Sequence, residues 1–364
     1  MRSVCLHIKN IANKGGEERM CATLANGLVD RGYNVIVVSY CTPYSEKSFF
    51  PLSSDIKVYK LLGNKIERNI WRLPLGQNYH VWKLKWILKS NKIDVVIDVD
   101  IRQSLITSKA VGHSNIKIIS WDHFDYVAFT KRRRKAQLLD CFRRNVDKLV
   151  VLTKSNRNLF INNDFLPESL VVNIPNPSPI INDEPWYEHN SKKVLSVGRL
   201  ETQKGFDLLL MAWQIVEVKA PDWQLEIVGD GACKPLYERM ITDLGLKHVT
   251  ISPFTNKIKE KYKNADIYVL PSRTEGFGLV LVEAETMGLP LVAFDCGGPK
   301  EIIINGENGF LVEPENFLAL SFSILHLISN DELRVKMSKN AFEHSILYNK
   351  DTIFRQWTAL IDSL

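Results

Sequence analysis

Short apolar runs alternate with amphipathic stretches along the chain, and the first forty residues show this pattern most plainly. Ser3–Ile8 is predicted to be a strand, Glu17–Arg31 a helix and Asn34–Val38 a second strand. The helix carries its apolar residues on one stripe and is followed by Gly32, a residue that suits the left-handed backbone of a helix C-terminus. Because the second strand is apolar along almost its whole length, we expect a parallel sheet covered on both faces.

The same alternation continues and restarts after Pro175–Pro179, which with the polar stretch behind it is the predicted linker. The other predicted strands are Val95–Val99, Ile116–Ser120, Lys148–Thr153, Lys193–Val197, Trp223–Val228, His248–Ile251, Ile267–Leu270, Leu291–Phe294 and Gly309–Val312. Helices are predicted in the second half at Phe206–Val218 and Leu236–Leu244. Two alternating β/α halves predict two doubly wound domains with a cleft between them. We place them at residues 1–178 and 179–345, with a C-terminal helix in 346–364 that packs back on the first domain.

Length and charge agree with two domains that have different partners. The 364 residues exceed the size at which a single core usually stops growing. Residues 1–180 hold 28 Lys and Arg against 15 Asp and Glu, a net charge of +13, whereas the remainder has a net charge of −7. A basic half is typical of proteins that bind nucleic acid, an anionic membrane or phosphorylated substrates, and charge alone leaves that choice open. Six cysteines without a CxxC spacing predict reduced thiols in a cytoplasmic protein.

Two loops of the second half carry the clearest chemistry. The first loop, Gly198–Gly205, joins a strand to a helix and holds Arg199 and Lys204 five residues apart. Two fixed cations would neutralise the charge that builds on a departing diphosphate. The alternative is a solvated loop with two surface cations.

The second loop, Pro271–Gly278, also follows a strand and opens a helix. The backbone amides at the start of that helix suit phosphate or sugar oxygens. Glu275 and Glu283 would lie about 12 Å apart along a continuous helix. One carboxylate would then accept hydrogen bonds from a sugar ring and the other from a ribose. The alternative is a surface helix with two ordinary glutamates.

Together these motifs resemble those of the family 4 retaining glycosyltransferases. The matching segments, in chain order, are Gly15-Gly16-Glu17-Glu18-Arg19, Ser196-Val197-Gly198-Arg199 with Lys204-Gly205-Phe206, Val228-Gly229-Asp230-Gly231, Glu275-Gly276-Phe277-Gly278-Leu279 with Glu283-Ala284, Gly297-Gly298-Pro299-Lys300-Glu301-Ile302 and Asn308-Gly309-Phe310-Leu311-Val312. Any one match is weak, but this many in order over most of the chain are specific. The resemblance implies an α/β fold of the GT-B type, in which two Rossmann-like doubly wound domains face a central cleft. The first domain, 1–178, would then be the acceptor side and the second, 179–345, the domain that binds the nucleotide-sugar donor.

The resemblance also implies roles for individual residues. Arg199 and Lys204 would hold the donor diphosphate, and Glu275 would bind the hydroxyls of the donor sugar. Glu283 would bind the ribose and Phe254 the nucleobase. The remaining donor-binding positions that it implies are Gly16, Gly198, Gly276, Phe277, Gly278, Leu279 and Val280.

His123, in the segment Trp121-Asp122-His123 after a first-domain strand, resembles the family's histidine near the donor sugar. A packed loop histidine is the alternative.

A second motif, Asp98-Val99-Asp100, is a DxD, which in another glycosyltransferase architecture binds a divalent metal. It lies far in sequence from the two loops, whose cations already supply the charge of a metal. We therefore expect neither a bound metal nor another cofactor.

A basic run comprises Lys131, Arg132, Arg133, Arg134 and Lys135, at the start of a helix predicted over residues 131–144. No nucleic-acid-binding motif accompanies it, so nucleic acid is not an expected partner. A solvated basic face and a site for anionic lipid headgroups or a lipid diphosphate are the two alternatives, and the second fits such an enzyme better. Tryptophans at positions 71, 82 and 86 among cations at 72, 83, 85 and 89 would suit an interface, although such tryptophans more often lie in a core.

The resemblance therefore implies a retaining glycosyltransferase. We expect it to be metal-independent, cytoplasmic and peripheral on the inner face of the cell membrane. The resemblance implies a UDP-sugar donor (GalNAc, GlcNAc or galactose) and a polyprenyl-diphosphate-linked sugar acceptor in bacterial O-antigen, capsule or lipid-linked glycan synthesis. A GDP-mannose-dependent mannosyltransferase and a UDP-sugar epimerase of the same fold are the alternatives. A binding protein with a vestigial cleft is disfavoured because the cations and carboxylates are all present. A dinucleotide dehydrogenase is disfavoured because no GxGxxG follows the first strand.

Overall fold

Two compact units make up the fold, and the computed structural model describes residues 2–62, 78–182 and 190–364. The first unit contains Met1–Asn176 together with Ile353–Leu364, and the second contains Pro177–Thr352. The chain thus returns to the first unit at Ile353, whereas the predicted C-terminal segment began at residue 346. Each unit is a parallel sheet with helices, which is the α/β class expected from the alternating pattern.

The first unit is built on a seven-stranded parallel sheet. Its strands in chain order are β1 Ser3–Ile8, β2 Asn34–Ser39, β3 Lys57–Lys60, β4 Val95–Asp98, β5 Lys117–Asp122, β6 Lys148–Val151 and β7 Val171–Asn173. They lie in the order β3-β2-β1-β4-β5-β6-β7, and each neighbouring pair is parallel. The strand order reverses between β1 and β4, and open α/β sheets bind ligands outside the carboxyl ends of strands at such a reversal.

The helices of the first unit cover this sheet. Their bounds are Gly16–Val29, Tyr79–Ser90, Ser104–Val111, Tyr126–Thr130, Lys135–Asn145 and Lys154–Asp164, with a short 3₁₀ helix at Ile101–Gln103. The final helix, Lys350–Asp362, belongs to this unit from Ile353 onward. Its Trp357 ring packs 4.9 Å from that of Trp121 at the end of β5, centroid to centroid. A Cβ at Gly27 would overlap the Phe354 ring, so the first and last helices are in close contact.

The second unit repeats the plan with six strands. They are β8 Lys193–Val197, β9 Gln224–Val228, β10 Val249–Ser252, β11 Ile267–Leu270, β12 Leu291–Phe294 and β13 Gly309–Val312. The order is β10-β9-β8-β11-β12-β13, all parallel, and it reverses between β8 and β11. The helices are Phe206–Lys219, Lys234–Asp243, Ile258–Lys263, Leu279–Thr286, Pro299–Ile302, Phe317–Ile328 and Asp331–Ser345, with 3₁₀ helices at Thr202–Lys204 and Ile346–Tyr348. Every predicted strand of this half is present, with its ends shifted by one residue at most.

One local prediction was wrong, and the structure decides an alternative that the sequence left open. The helix expected over 131–144 begins only at Lys135, so the first four cations of the basic run precede it. Trp82 and Trp86 lie on the helix Tyr79–Ser90 with 63% and 57% of their surface exposed, and they are therefore not core residues. Trp71 and Arg72 lie outside the described residues. In the part of the chain that the structure describes, no helix is both long and apolar enough to cross a membrane.

Candidate functional site

The two loops singled out in the second half meet at one edge of the second sheet. They leave the carboxyl ends of β8 and β11, which are neighbours, so both arrive at the point where the strand order reverses. At Gly205 φ is +67°, and a Cβ there would stand 2.0 Å from the carbonyl oxygen of Pro271. Only glycine fits this position, because a side chain would force the two loops apart.

The loops are joined by an ion pair between two residues that the sequence assigned separate roles. Lys204 Nζ lies 2.6 Å from Glu275 Oε2, and each side chain is 16% exposed. The Ser272 hydroxyl donates to the same carboxylate oxygen at 3.3 Å. The backbone of Glu275 is held from its other side, since Gly298 N–H donates to its carbonyl at 2.9 Å. The cation and the carboxylate are thus fixed side by side before any ligand arrives.

A second set of contacts between the two loops, made by Arg273, was not predicted from the sequence. Arg273 donates to both carboxylate oxygens of Asp207, at 2.8 and 2.7 Å, and also to the carbonyl of Thr202 at 2.8 Å. Its Nε lies 3.2 Å from Glu315 Oε2. The hydrogen bonds to Asp207 raise the pKa of Arg273, so its charge is permanent. One signal for Arg273 was available in the sequence, because it is a charged residue in the predicted donor-binding loop Pro271–Gly278.

Arg199 differs from Lys204 in its surroundings. Its side chain is 66% exposed, and its guanidinium lies 3.2 Å from Glu201 Oε1. A surface pair of this kind contributes little to stability and is readily exchanged. Arg199 can therefore turn to an incoming anion, whereas Lys204 is held in position by Glu275.

The helix Leu279–Thr286 presents its amino end at the same edge. Gly278 before it has φ of +96°, and the first helical amide that donates within the described chain is that of Leu281, to Gly278 O at 2.8 Å. The amides of Leu279 and Val280 are therefore oriented as donors for an oxygen anion. Because the helix begins only at Leu279, half of the stretch from Glu275 to Glu283 is loop, and the 12 Å estimate for a continuous helix does not apply.

Glu283 lies within this helix and is almost completely buried. It accepts a hydrogen bond of 2.8 Å from the hydroxyl of Tyr262, a residue that the sequence analysis did not select. The aromatic side chain gives no chemical signal in the sequence, because its role depends on a contact between residues 21 apart. Tyr262 fixes the carboxylate that the resemblance assigns to a ribose.

The remaining predicted donor-binding residues differ in how accessible they are to a ligand. Phe254 follows β10 with 47% of its surface exposed, and its amide donates to Asp230 Oδ2 at 3.0 Å. Gly198 stands close to the turn after β9, where a Cβ at Gly229 would lie 1.9 Å from its carbonyl oxygen. Phe277 is buried and packs edge-on against Tyr348 at 5.8 Å, so its ring is part of the core. Only the backbone of the Gly276–Phe277 segment can reach a ligand.

In the first unit, the predicted residues lie at the carboxyl ends of β1 and β5. Gly16 begins the first helix, and a Cβ there would meet no atom within 4 Å, so a ligand can approach the backbone. The His123 ring packs 4.2 Å from the Trp121 ring, centroid to centroid. Burial lowers the pKa of His123 to about 3, so the imidazole is neutral at physiological pH. The backbone openness at Gly16 and the neutral imidazole are both compatible with binding a sugar.

The same edge holds a group of charged residues that the sequence analysis did not select as a site, here called the carboxyl cluster. It consists of Glu17, Asp100 and Asp122 with the cations Arg102 and Arg132. Burial, together with the nearby charge of Asp100, raises the pKa of Glu17 to about 8 and that of Asp122 to about 7. Arg102 donates to both oxygens of Asp100, at 3.0 and 2.6 Å through its Nε. In the sequence, Asp100 and Asp122 closely follow predicted strands, but nothing local shows that the fold brings them near Glu17.

The DxD motif is divided between two environments. Asp98 is fully buried and accepts hydrogen bonds from Ser104 Oγ at 2.8 Å and Thr107 Oγ1 at 2.5 Å, with His7 Nδ1 at 3.0 Å. Asp100 is engaged by Arg102. Among residues 2–62, 78–182 and 190–364 there is no group of three or more His, Cys, Asp or Glu side chains arranged to hold a metal ion.

The basic run is not a uniform surface patch. Lys135 forms an ion pair of 2.7 Å with Asp164, and its ammonium group lies over the rings of two aromatic residues. Arg132 is partly buried, with its guanidinium 4.7 Å from the centroid of the Phe124 ring. Lys131, Arg133 and Arg134 are exposed. Of the five cations of the run, three are therefore exposed.

Comparison with known proteins gives consistent matches over both units. Residues 14–178 match the family described as Glycosyltransferase Family 4, and residues 181–344 match Glycosyl transferases group 1. The chain is 33% identical over 99% of its length to an uncharacterized glycosyltransferase of Haemophilus influenzae, and spans 100% of it. It is 27% identical to the amylovoran biosynthesis glycosyltransferase AmsD of Erwinia amylovora over 100% of both chains. Among solved structures, Anabaena HepE in complex with UDP and glucose has a TM-score of 0.80 and 21% identity, with 99% of each chain covered.

Proposed function

Because the chain belongs to the family 4 glycosyltransferases, with their GT-B fold, we propose that it transfers a sugar from a nucleoside-diphosphate sugar to a sugar acceptor with retention at the anomeric carbon. The observation that carries this proposal is the contact between Lys204 and Glu275 at the end of β8 and β11. This contact supports the proposal because a cation can bind the diphosphate of such a donor and a carboxylate beside it can bind the hydroxyls of its sugar.

The proposed division of labour follows from these surroundings. Lys204, with the exposed guanidinium of Arg199, neutralises the charge that grows on the diphosphate as it departs. The amides of Leu279 and Val280 donate to its oxygens. Glu283 accepts hydrogen bonds from the ribose, and the half-exposed ring of Phe254 stacks on the base.

In the proposed reaction the bond between the anomeric carbon and the diphosphate oxygen breaks, and a bond from the acceptor oxygen forms on the same face. The acceptor hydroxyl proton passes to the departing diphosphate, so no protein nucleophile is needed. Neutral His123 serves as a hydrogen-bond partner for the donor sugar. Because the two cations, Lys204 and Arg199, would stabilise the leaving group, we propose that the reaction needs no metal.

For the substrates, we propose a UDP-sugar carrying GalNAc, GlcNAc or galactose, with GDP-mannose as the alternative donor. The presence of UDP and glucose in the HepE complex supports a uridine nucleotide. The AmsD name supports a role in bacterial surface glycan synthesis, with a polyprenyl-diphosphate-linked sugar as the proposed acceptor. The exposed cations Lys131, Arg133 and Arg134 would then hold the enzyme at the inner face of the membrane.

The test is incubation with a panel of UDP- and GDP-sugars and membrane lipid extracts, with measurement of nucleotide release. Release that depends on the lipid extract supports a transferase. Conversion of a UDP-sugar to its epimer without an acceptor would instead identify an epimerase. The configuration of the new linkage, read from its anomeric proton coupling, decides retention. Activity should persist in EDTA, whereas complete loss that Mn²⁺ restores would make the Asp98–Asp100 motif a metal ligand.

A further inference from the structure

The helix Leu279–Thr286 carries a second buried carboxyl that the proposed reaction does not use. Glu285 lies two residues after Glu283 and is completely buried. Because an α-helix turns by about 100° per residue, the two side chains leave the helix on nearly opposite sides. A carboxylate near the end of a helix meets the negative end of the helix dipole, and burial removes it from water. An apolar side chain would pack here without these penalties, so a carboxyl at this position points to a role beyond packing.

Two elements of the second unit hold the Glu285 carboxyl through one of its oxygens. Its Oε2 lies 3.1 Å from Nδ1 of His344, on the helix Asp331–Ser345, and accepts a hydrogen bond of 3.4 Å from Asn308 Nδ2. Asn308 also donates to the carbonyl of Ile302 at 3.0 Å, so its side chain is fixed. The other oxygen, Oε1, is buried and has no partner among the described residues. Within the described chain, His344 is the one basic side chain that pairs with Glu285.

His344 also reaches the loop that precedes this helix. Its ring lies 5.7 Å from that of Tyr348, centroid to centroid, and the Tyr348 ring lies 5.8 Å from that of Phe277. Tyr348 is itself fixed, because its hydroxyl donates to the carbonyl of Glu301 at 3.1 Å. His344 thus contacts the carboxyl end of the helix directly and the segment before its amino end through one ring. Contacts at both ends of the helix lead to the same imidazole.

The contact between Glu285 and His344 depends on a proton. Burial raises the pKa of Glu285 to about 7, and the hydrogen bond to Glu285 raises the pKa of His344. The pair therefore holds one proton near neutral pH, and His344, with 15% of its side chain exposed, can exchange it with solvent. The other charge that acts on His344 is that of the exposed Glu307, whereas burial raises the pKa of Tyr348 and keeps it neutral. As the pH rises, the proton is lost and a buried carboxylate faces a neutral imidazole.

We propose that Glu285 and His344 are positioning residues for donor binding. Their ion pair fixes the rotation of the helix Leu279–Thr286, and thereby the direction of Glu283, the carboxylate proposed to bind the ribose. Neither residue of the pair touches the donor, and both act through the helix. This inference rests on the proposed function, because it takes the nucleotide of the donor to be the ligand of this helix.

Calorimetric titration of the full chain with UDP tests the pair. Glu285→Met and His344→Ala remove the contact, whereas Glu285→Gln keeps an oxygen acceptor for His344 without the charge. His248→Ala is the matched control, because it breaks a pair of 3.0 Å with Glu217 in the same unit, at the amino end of β10 and away from the donor loops. At pH 6.5 we expect the dissociation constant of UDP to rise about fivefold in Glu285→Met and His344→Ala, the scale of one net hydrogen bond, and by less than about twofold in Glu285→Gln and the control.

A pH series separates positioning from a purely structural role, which would change the free energy of unfolding and leave the UDP affinity of the folded protein alone. The ratio of the dissociation constants of wild type and Glu285→Gln should rise about threefold from pH 6.5 to pH 9, because only the wild type loses the shared proton. Taking the ratio cancels the titration of UDP itself. A ratio that does not change with pH overturns the proposal.

Thermal unfolding of the same samples shows which variants are folded. Unchanged UDP affinity in folded Glu285→Met and His344→Ala also overturns the proposal, and if either variant fails to fold, the pH series with Glu285→Gln decides alone. GDP is titrated in parallel. Failure of the wild type to bind either nucleotide contradicts the proposed function and this inference with it, whereas binding that all the variants retain overturns the inference alone.

Discussion

The loops of the second unit and the carboxyl cluster of the first unit use charge in opposite ways. In the second unit the buried or half-buried charges are paired within the chain, Lys204 with Glu275 and Arg273 with Asp207. In the first unit one oxygen of each carboxyl, Glu17 Oε1 and Asp122 Oδ2, is buried without a partner among the described residues. Paired charges fix the geometry of a site in advance, whereas unpaired groups lower stability until a ligand satisfies them. We therefore expect the carboxyl cluster of the first unit to select hydrogen-bonding ligands, and the loops of the second unit to select an anion whose charge changes during the reaction.

The largest expected effect comes from breaking the paired arrangement. We expect Lys204→Ala to lower turnover by about 10²–10³-fold, which is the scale for loss of one fixed stabiliser of developing charge. Arg199→Ala should have an effect of the same order, since both cations are proposed to face the diphosphate. Initial rates at saturating donor and acceptor provide the measurement.

The matched control is Lys192→Ala, which removes a surface cation of the same unit that pairs with Asp222 at 2.6 Å. Its turnover should equal that of the wild type. Unchanged turnover in both Lys204→Ala and Arg199→Ala would contradict the proposed role of this loop.

The second prediction concerns the free energy of unfolding, which the buried carboxyl of Asp122 lowers as the pH rises. Burial raises the pKa of Asp122 to about 7, whereas an unfolded aspartate titrates near 3.8. Between these pH values the folded state retains a proton that the unfolded state has lost, so stability falls as the pH rises, by about 1.4 kcal/mol per unit at most. Asp122→Asn removes this slope. Its stability relative to the wild type should therefore grow by up to about 3 kcal/mol between pH 5 and pH 8, measured by urea unfolding.

Glu17 titrates in the same direction, and Asp122 contributes to its raised pKa. Both proteins are therefore also compared in a Glu17→Gln background, where the difference between them isolates Asp122. Asp140→Asn, at an exposed carboxylate, should show no such growth. A difference between Asp122→Asn and wild type that is independent of pH would mean that Asp122 is ionised in the folded protein, and the contrast between the two units would disappear.

The sequence was sufficient to predict the fold because a parallel sheet leaves a strong pattern. Its strands are buried on both faces and appear as short apolar runs, such as Ile267–Leu270 and Leu291–Phe294, which the structure reproduces residue for residue. Edge strands leave a weaker pattern. Lys57–Lys60, at the edge of the first sheet, is partly exposed and begins and ends with lysine, so it was not predicted.

The site was only partly predictable, for a different reason. Glycines and charged residues in loops after strands carry a local signal, so Arg199, Lys204 and Glu275 were selected. Contacts between distant segments carry none. Nothing in the sequence shows that Lys204 touches Glu275, 71 residues away, or that Arg273 reaches Asp207 over 66 residues. The carboxyl cluster was missed because burial gives its carboxyls their unusual protonation, and burial depends on the complete fold.

The third prediction concerns Glu283 of the second unit, and its expected effect is smaller. Glu283→Gln should weaken UDP binding about tenfold, the loss of a charge-assisted hydrogen bond, with turnover at saturating donor changing less. A ribose contact is the same in the ground and transition states, so it contributes to binding more than to rate. Calorimetric titration with UDP is the measurement.

Tyr262→Phe sharpens this test because it removes the hydroxyl that donates to Glu283 at 2.8 Å and leaves the carboxylate in place. We expect UDP binding to weaken in this variant as well, but by less than in Glu283→Gln. A large loss of turnover with unchanged UDP affinity in Glu283→Gln would reverse the assignment and make this carboxylate a group that acts in the transition state.

The smallest expected effect tests whether the same contrast between paired and unpaired charges governs binding to a membrane surface. Arg133 is exposed, whereas Lys135 is held by Asp164 at 2.7 Å. A cation free to approach anionic lipid contributes about 1 kcal/mol, so Arg133→Gln should weaken binding to phosphatidylglycerol-containing vesicles about fivefold in sedimentation at low salt. Lys135→Gln should weaken it less, because that ammonium already has a counter-ion. Both differences should shrink at high salt, as screening shortens the range of the interaction.

Equal binding to neutral vesicles would assign the contact to the exposed rings of Trp82 and Trp86 instead. Absence of binding to either kind of vesicle, with full activity on a water-soluble acceptor, would contradict a peripheral membrane location and leave the basic run as a solvated surface.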